Sequence, residues 1–121
     1  MVLIDQGLQC LRDYPISFRQ GDTVEETIAI VDVAGNPVDT AGYSARIVAI
    51  DQNGDIVLDG TETTILALAS GSLSLLLDEA DTYDLDEGVY TYEIKLTSLT
   101  NTWTISVGTM RVIATAIPEG V

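Results

Sequence analysis

Between Val89 and Thr97 the side chains alternate without a break: Tyr90, Tyr92, Ile94 and Leu96 on one side, Thr91, Glu93, Lys95 and Thr97 on the other. A period of two belongs to a β-strand with one face buried and one face wet, because successive side chains point to opposite sides of the pleat. Shorter runs of the same kind fill the chain. Candidate strands are Tyr14 to Arg19, Val24 to Asp32 with Ile28 and Ile30 on one face, and Tyr43 to Ile50 with Tyr43, Ala45, Ile47 and Ala49 aligned. Ile56 to Leu58, Thr63 to Leu68, and Ser72 to Leu77 with Leu73, Leu75 and Leu77 aligned continue the series. Trp103, Ile105 and Val107 form one further alternating set, and Met110, Val112 and Ala114 close it. Turn residues separate these runs: Gln20-Gly21-Asp22, Ala34-Gly35-Asn36-Pro37, Asn53-Gly54 and Thr100-Asn101. Asn-Gly is a strong hairpin signal, since both residues tolerate positive φ. The polar run DEADTYDLDE at 78–87 can hold one helical turn. Seven to nine short strands at regular spacing predict an all-β, antiparallel sandwich or a small barrel.

With 121 residues the chain fits one domain and one hydrophobic core. The expected division is an N-terminal arm or edge strand at 1–13, a sandwich at 14–115 and an exit peptide at 116–121. The single cysteine, Cys10, excludes an internal disulfide. Within the arm, Val2, Leu3, Ile4, Leu8 and Leu11 are too apolar for a free tail. They are expected to extend the chain's own sheet or to lie on a neighbouring subunit. The opening MVLIDQGLQC lacks the basic start and long apolar run of a signal peptide, and Gln9 is too large for a lipoprotein box.

Nineteen Asp and Glu against five Lys and Arg, with no histidine, give a net charge of −14. Such a surface repels phosphate backbones and anionic lipid, so neither nucleic acid nor membrane is an expected partner. Without histidine the common Ser-His and Cys-His nucleophile pairs cannot be built, and no glycine-rich phosphate loop opens a helix. The expectation is a non-enzyme without a cofactor.

Two features invite a binding role. Asp51, Asn53, Asp55, Asp59 and Glu62 stand at the 1, 3, 5, 9 and 12 spacing of a calcium-binding EF-hand loop. The sixth position, however, is Ile56 where that loop needs glycine, and the flanks read as strands. An Asn-Gly hairpin with solvated acids is the simpler expectation. Trp103 could stack on a sugar or anchor an interface, but its alternation with Ile105 and Val107 places it in the core.

The segment Leu85-Asp86-Glu87-Gly88-Val89-Tyr90-Thr91-Tyr92 resembles the tyrosine corner of immunoglobulin-like domains, in which a Tyr hydroxyl bonds backbone a few residues upstream. Tyr90 would be the corner, and Tyr92 would hold the place of a cysteine in antibody domains. Arg-Gln-Gly-Asp-Thr at 19–23, the Asp32–Asp39 segment, Gly42-Tyr43-Ser44-Ala45-Arg46, Gly71-Ser72-Leu73-Ser74-Leu75, Asp81-Thr82-Tyr83-Asp84-Leu85 and the strand from Gly88 follow in order. This order resembles the immunoglobulin-like domains of tailed-phage virion proteins, including the N-terminal modules of baseplate upper proteins, over residues 14–115. The resemblance implies an immunoglobulin-like sandwich made in a host cytoplasm and built into a virion as a tail, baseplate or fibre-attachment adaptor. Its partners would be other virion proteins and copies of itself. Because no fibre segment is appended, capsid decoration is a second expectation. A carbohydrate- or calcium-binding adhesion module is a third.

Overall fold

A computed structural model describes residues 14–31, 36–61 and 65–117 in full, and 2–5 and 7–8 by backbone course. The strands are β1 (Val2–Asp5), β2 (Gly7–Leu8), β3 (Ile16–Arg19), β4 (Val24–Val31), β5 (Ser44–Ile50), β6 (Ile56–Thr61), β7 (Leu66–Ala69), β8 (Ser72–Leu77), β9 (Gly88–Thr97) and β10 (Thr102–Ile113), with one short helix, α1 (Glu79–Tyr83), between β8 and β9. Two five-stranded sheets result, ordered β2-β1-β4-β8-β7 and β3-β10-β9-β5-β6. Most pairs are antiparallel, while β3 lies parallel to β10 and β1 parallel to β4. This is an immunoglobulin-like β-sandwich. Among the described residues no helix is long and apolar enough to cross a membrane.

Alternation decides what the two sheets enclose. Ile28 and Ile30 from β4, Leu73, Leu75 and Leu77 from β8, Ala45, Ile47 and Ala49 from β5, and Tyr90, Tyr92, Ile94 and Leu96 from β9 are all buried in one core. Each fully buried Leu or Ile contributes roughly 1.5–3 kcal/mol by leaving water. Tyr43, expected in the same row as Ala45, is only half-buried at its margin.

The expected alternation fails in β10. Trp103, Ile105 and Val107 do not share a face, because the register with β9 slips between Thr104 and Ser106. Ile105 is the extra residue of a β-bulge, and both Ile105 and Ser106 are completely buried. Beyond the bulge the inward positions are even-numbered, Gly108, Met110 and Val112, while Val107 sits outside opposite Glu93. The two expected terminal strands are thus one continuous strand with a change of phase.

The predicted helical turn is α1. Asp78 caps it: its carboxylate accepts from the Asp81 N–H at 2.9 Å, and its own N–H donates to the Asp81 carboxylate at 3.1 Å. Thr82, fully buried, fixes α1 to the β3–β4 turn, accepting from the Gly21 N–H at 2.8 Å and donating to the Asp22 carbonyl at 2.9 Å. Gly21 has φ +87°, which favours glycine, and a Cβ there would lie 2.7 Å from the tip of the Tyr83 side chain, which would have to move.

Candidate functional site

The tyrosine corner is formed. The Tyr90 hydroxyl donates to the Asp86 carbonyl at 2.5 Å, closing the loop that carries the chain from one sheet to the other. Burial raises the Tyr90 phenol above its ordinary pKa, and the nearby carboxylates of Asp86 and Asp51 add to the shift. Tyr92, two residues on, is a core residue whose hydroxyl donates to the Tyr14 carbonyl at 2.6 Å and lies 3.0 Å from the Ser106 hydroxyl. Both roles are structural.

The residues at EF-hand spacing are not free to act as one ligand set. Asp59 lies on β6 and takes a two-pronged pair of hydrogen bonds from Arg46, at 2.9 and 2.7 Å. The Arg46 bonds are the first cause of its lowered pKa. Asp51 accepts from the Asn53 and Asp55 N–H groups at 2.8 and 3.0 Å, so its carboxylate shapes the hairpin. Gly54 takes φ +85° at the tip, as the Asn-Gly signal predicts. Glu62 lies outside the described residues. Among the described residues no group of three or more acids or cysteines is placed to hold a metal.

In the arm, β1 pairs with the chain's own β4, Val2 opposite Ile30 and Leu3 opposite Val31, and β2 folds back on it with Leu8 opposite Ile4. Leu11 lies outside the described residues. Trp103 is half-buried against the core, with its indole N–H buried and without a hydrogen-bond partner.

What sequence reasoning left unassembled is the distribution of charge. The turns at one end of the sandwich are acidic: Asp22, the Asp51–Asp55 loop, and the Asp78–Glu87 segment that holds α1. Between the hairpin and the tyrosine corner lies an open cleft of about 350 Å³ bordered by Asp51, Asp86, Glu87 and Tyr90. At the opposite end, Asp39 is the only acid in the described turns, and the β9–β10 turn carries fully exposed Leu99. The described basic residues lie on strands and not in the turns. Arg19, Arg46, Lys95 and Arg111 all project from the outer face of the β3-β10-β9-β5-β6 sheet, while Arg12 lies outside the described residues. Arg46 and Lys95 could be placed on a polar strand face from alternation. Placing Arg19 and Arg111 on the same face required the sheet order, and they lie toward its other end, Arg111 level with Val89 and Lys95 level with Thr104.

No family model matches the chain, and no curated protein sequence matches it. Similar solved structures include CopC from Methylosinus trichosporium OB3b, 16% identical over 87% of this chain and 89% of that one, with a TM-score of 0.48. A family 123 glycoside hydrolase from Clostridium perfringens is 12% identical over 88% of this chain but only 24% of its own, with a TM-score of 0.49. Murine CRIg is 11% identical over 84% of this chain and 92% of its own, with a TM-score of 0.36. None of the three is described as a phage protein.

Proposed function

We propose that the chain is a structural module of a tailed-phage virion, a tail, baseplate or fibre-attachment adaptor that works by presenting a rigid sandwich to neighbouring proteins. The observation that carries this reading is the sorting of charge over a tied-down scaffold. One end is strongly acidic, Asp39 is the only acid in the described turns of the other, and the described cations share one sheet face. Opposed surfaces of unlike character suit a part that must dock in one orientation, because complementary potentials fix register and reject wrong partners. The long-range bonds of Tyr92 and Thr82 keep those surfaces in fixed relation. The likeness of the turn and core residues to virion immunoglobulin-like domains supplies the setting. Enzymatic work is not part of this reading, nor is nucleic-acid or membrane binding.

Density-gradient purification of particles from the source lysate, followed by quantitative mass spectrometry, tests it. The chain is expected to co-sediment with particles in fixed ratio to a capsid protein. Recovery only in the soluble fraction would defeat the proposal.

A further inference from the structure

We propose that the outer face of the β3-β10-β9-β5-β6 sheet receives the acidic end of a second copy of this chain, in a head-to-tail contact. The first ground is the placement of cations. Arg19 leaves β3, Arg46 β5, Lys95 β9 and Arg111 β10, yet all reach the same side of one sheet. Arg46 lies directly opposite Lys95 across the β5–β9 pair, two like charges on adjacent strands, which costs stability in an isolated domain.

The second ground is their lack of counter-charge. The sequence holds nineteen acids. Even so, the pair of Arg46 with Asp59 is the one ion pair among the described residues. Arg19 donates to the Ala114 carbonyl at 3.0 Å and Lys95 to the Thr104 hydroxyl at 3.0 Å, both neutral acceptors. Arg111 has no carboxylate within ion-pair distance among the described residues.

The third ground is geometry. Two acids share the face, Asp59, which is bonded to Arg46, and Glu93; the densest group of further acids is in the turns at the end of the sandwich. Asp22 at that end accepts from the Arg19 main-chain N–H at 3.3 Å, yet no described acid of the end pairs with a cationic head group of the face, and a second copy can bring its own acidic end there. The face offers more than charge: Val48 and Val107 flank Glu93 in one cross-strand row, and Val89 is half exposed nearby. A dimple of about 130 Å³ between Arg46, Val48, Glu93 and Lys95 breaks its flatness.

Two copies each carrying −14 repel at a distance. At physiological ionic strength that repulsion is screened beyond about 8 Å, whereas pairs formed in contact are screened much less. A face-to-end contact uses different surfaces on the two copies, so it propagates into a ring or an open row. This inference goes beyond the virion reading and stands or falls on the purified chain alone.

Sedimentation velocity of the full chain over a range of concentrations, in physiological salt, tests it with paired charge reversals at exposed positions. Wild type is expected to form dimers and larger species as concentration rises. Arg19→Glu with Arg111→Glu on the face, or Asp55→Lys with Asp84→Lys and Glu87→Lys at the end, is expected to weaken association about tenfold or more. Mixing the two variants restores it, because each reversed surface then meets its complement. Circular dichroism and urea midpoints confirm that both variants are folded. A wild type that stays monomeric, variants that associate as wild type does, or a mixture that fails to assemble would each overturn the proposal.

Discussion

The hydroxyl of Tyr92 donates to the main-chain carbonyl of Tyr14 at 2.6 Å, joining residues 78 apart in sequence. Tyr14 stands where the chain leaves the arm paired to one sheet and enters β3 of the other. Its N–H donates to the Val107 carbonyl at 3.1 Å, so the crossing is held at both of its backbone polar groups. Ser106, turned inward by the bulge, shares the Tyr92 hydroxyl.

Tyr92→Phe is therefore expected to cost about 1–3 kcal/mol, since it takes a partner from the part-buried Tyr14 carbonyl and from the buried Ser106 hydroxyl. Adding Ser106→Ala should recover part of that loss by removing one of those two groups. Urea midpoints of the single and double variants check both statements.

Gly108 lies under the same crossing. A Cβ there would come within 2.4 Å of the Tyr14 carbonyl oxygen and 2.8 Å of its nitrogen, and backbone cannot yield as a side-chain tip can. Gly108→Ala should destabilise by about 1–3 kcal/mol or more through overpacking. Gly42 is the contrast. It has φ +84°, and a methyl group added there would meet nothing within 4 Å, so Gly42→Ala should cost only the backbone term, about 1–2 kcal/mol. Chemical denaturation separates the two. An amide-exchange change around Tyr14 is expected for the first variant alone.

Alkaline pH should loosen the corner. The folded-state pKa of Tyr90 is raised above the ordinary value of 10.0, so below pH 10 both folded and unfolded chains keep the proton and stability does not change. As pH rises further the unfolded chain loses its proton first, and stability falls until the folded phenol ionises too. Tyr14 is shifted in the same direction by burial and by Glu26, to which its hydroxyl donates. Thermal melts from pH 8 to 11 should show this decline, with a shallower slope in Tyr90→Phe.

Millimolar calcium should leave the melting temperature unchanged. Asp59 is held by Arg46 and Asp51 by the N–H groups of its own hairpin, so binding would have to break both arrangements. A calorimetric titration with heat of binding, or a rise in melting temperature, would restore the 51–62 loop as a calcium site.

Local patterning carried most of the architecture. The rows Leu73–Leu77 and Tyr90–Leu96 are visible as alternation, and the Tyr90 corner is visible because its partner lies four residues away. The bulge was harder to see, although the shift from odd apolar positions at Trp103 and Ile105 to even ones at Met110 and Val112 marks it. A strand expected at Thr63–Leu68 is found at Leu66–Ala69, where its edges fit Leu75 and Ser72 of β8. The partners of Tyr92 and Thr82, and the gathering of Arg19, Arg46, Lys95 and Arg111, depend on which strands become neighbours. No local pattern encodes that.

Gold-labelled antibody against this domain, applied to particles from the source lysate, tests the functional reading most directly. Labels at the tail end or collar are the expected result, and labels over the head would assign capsid decoration instead. Particles that bind no gold, while the soluble fraction reacts, would contradict a place in the virion.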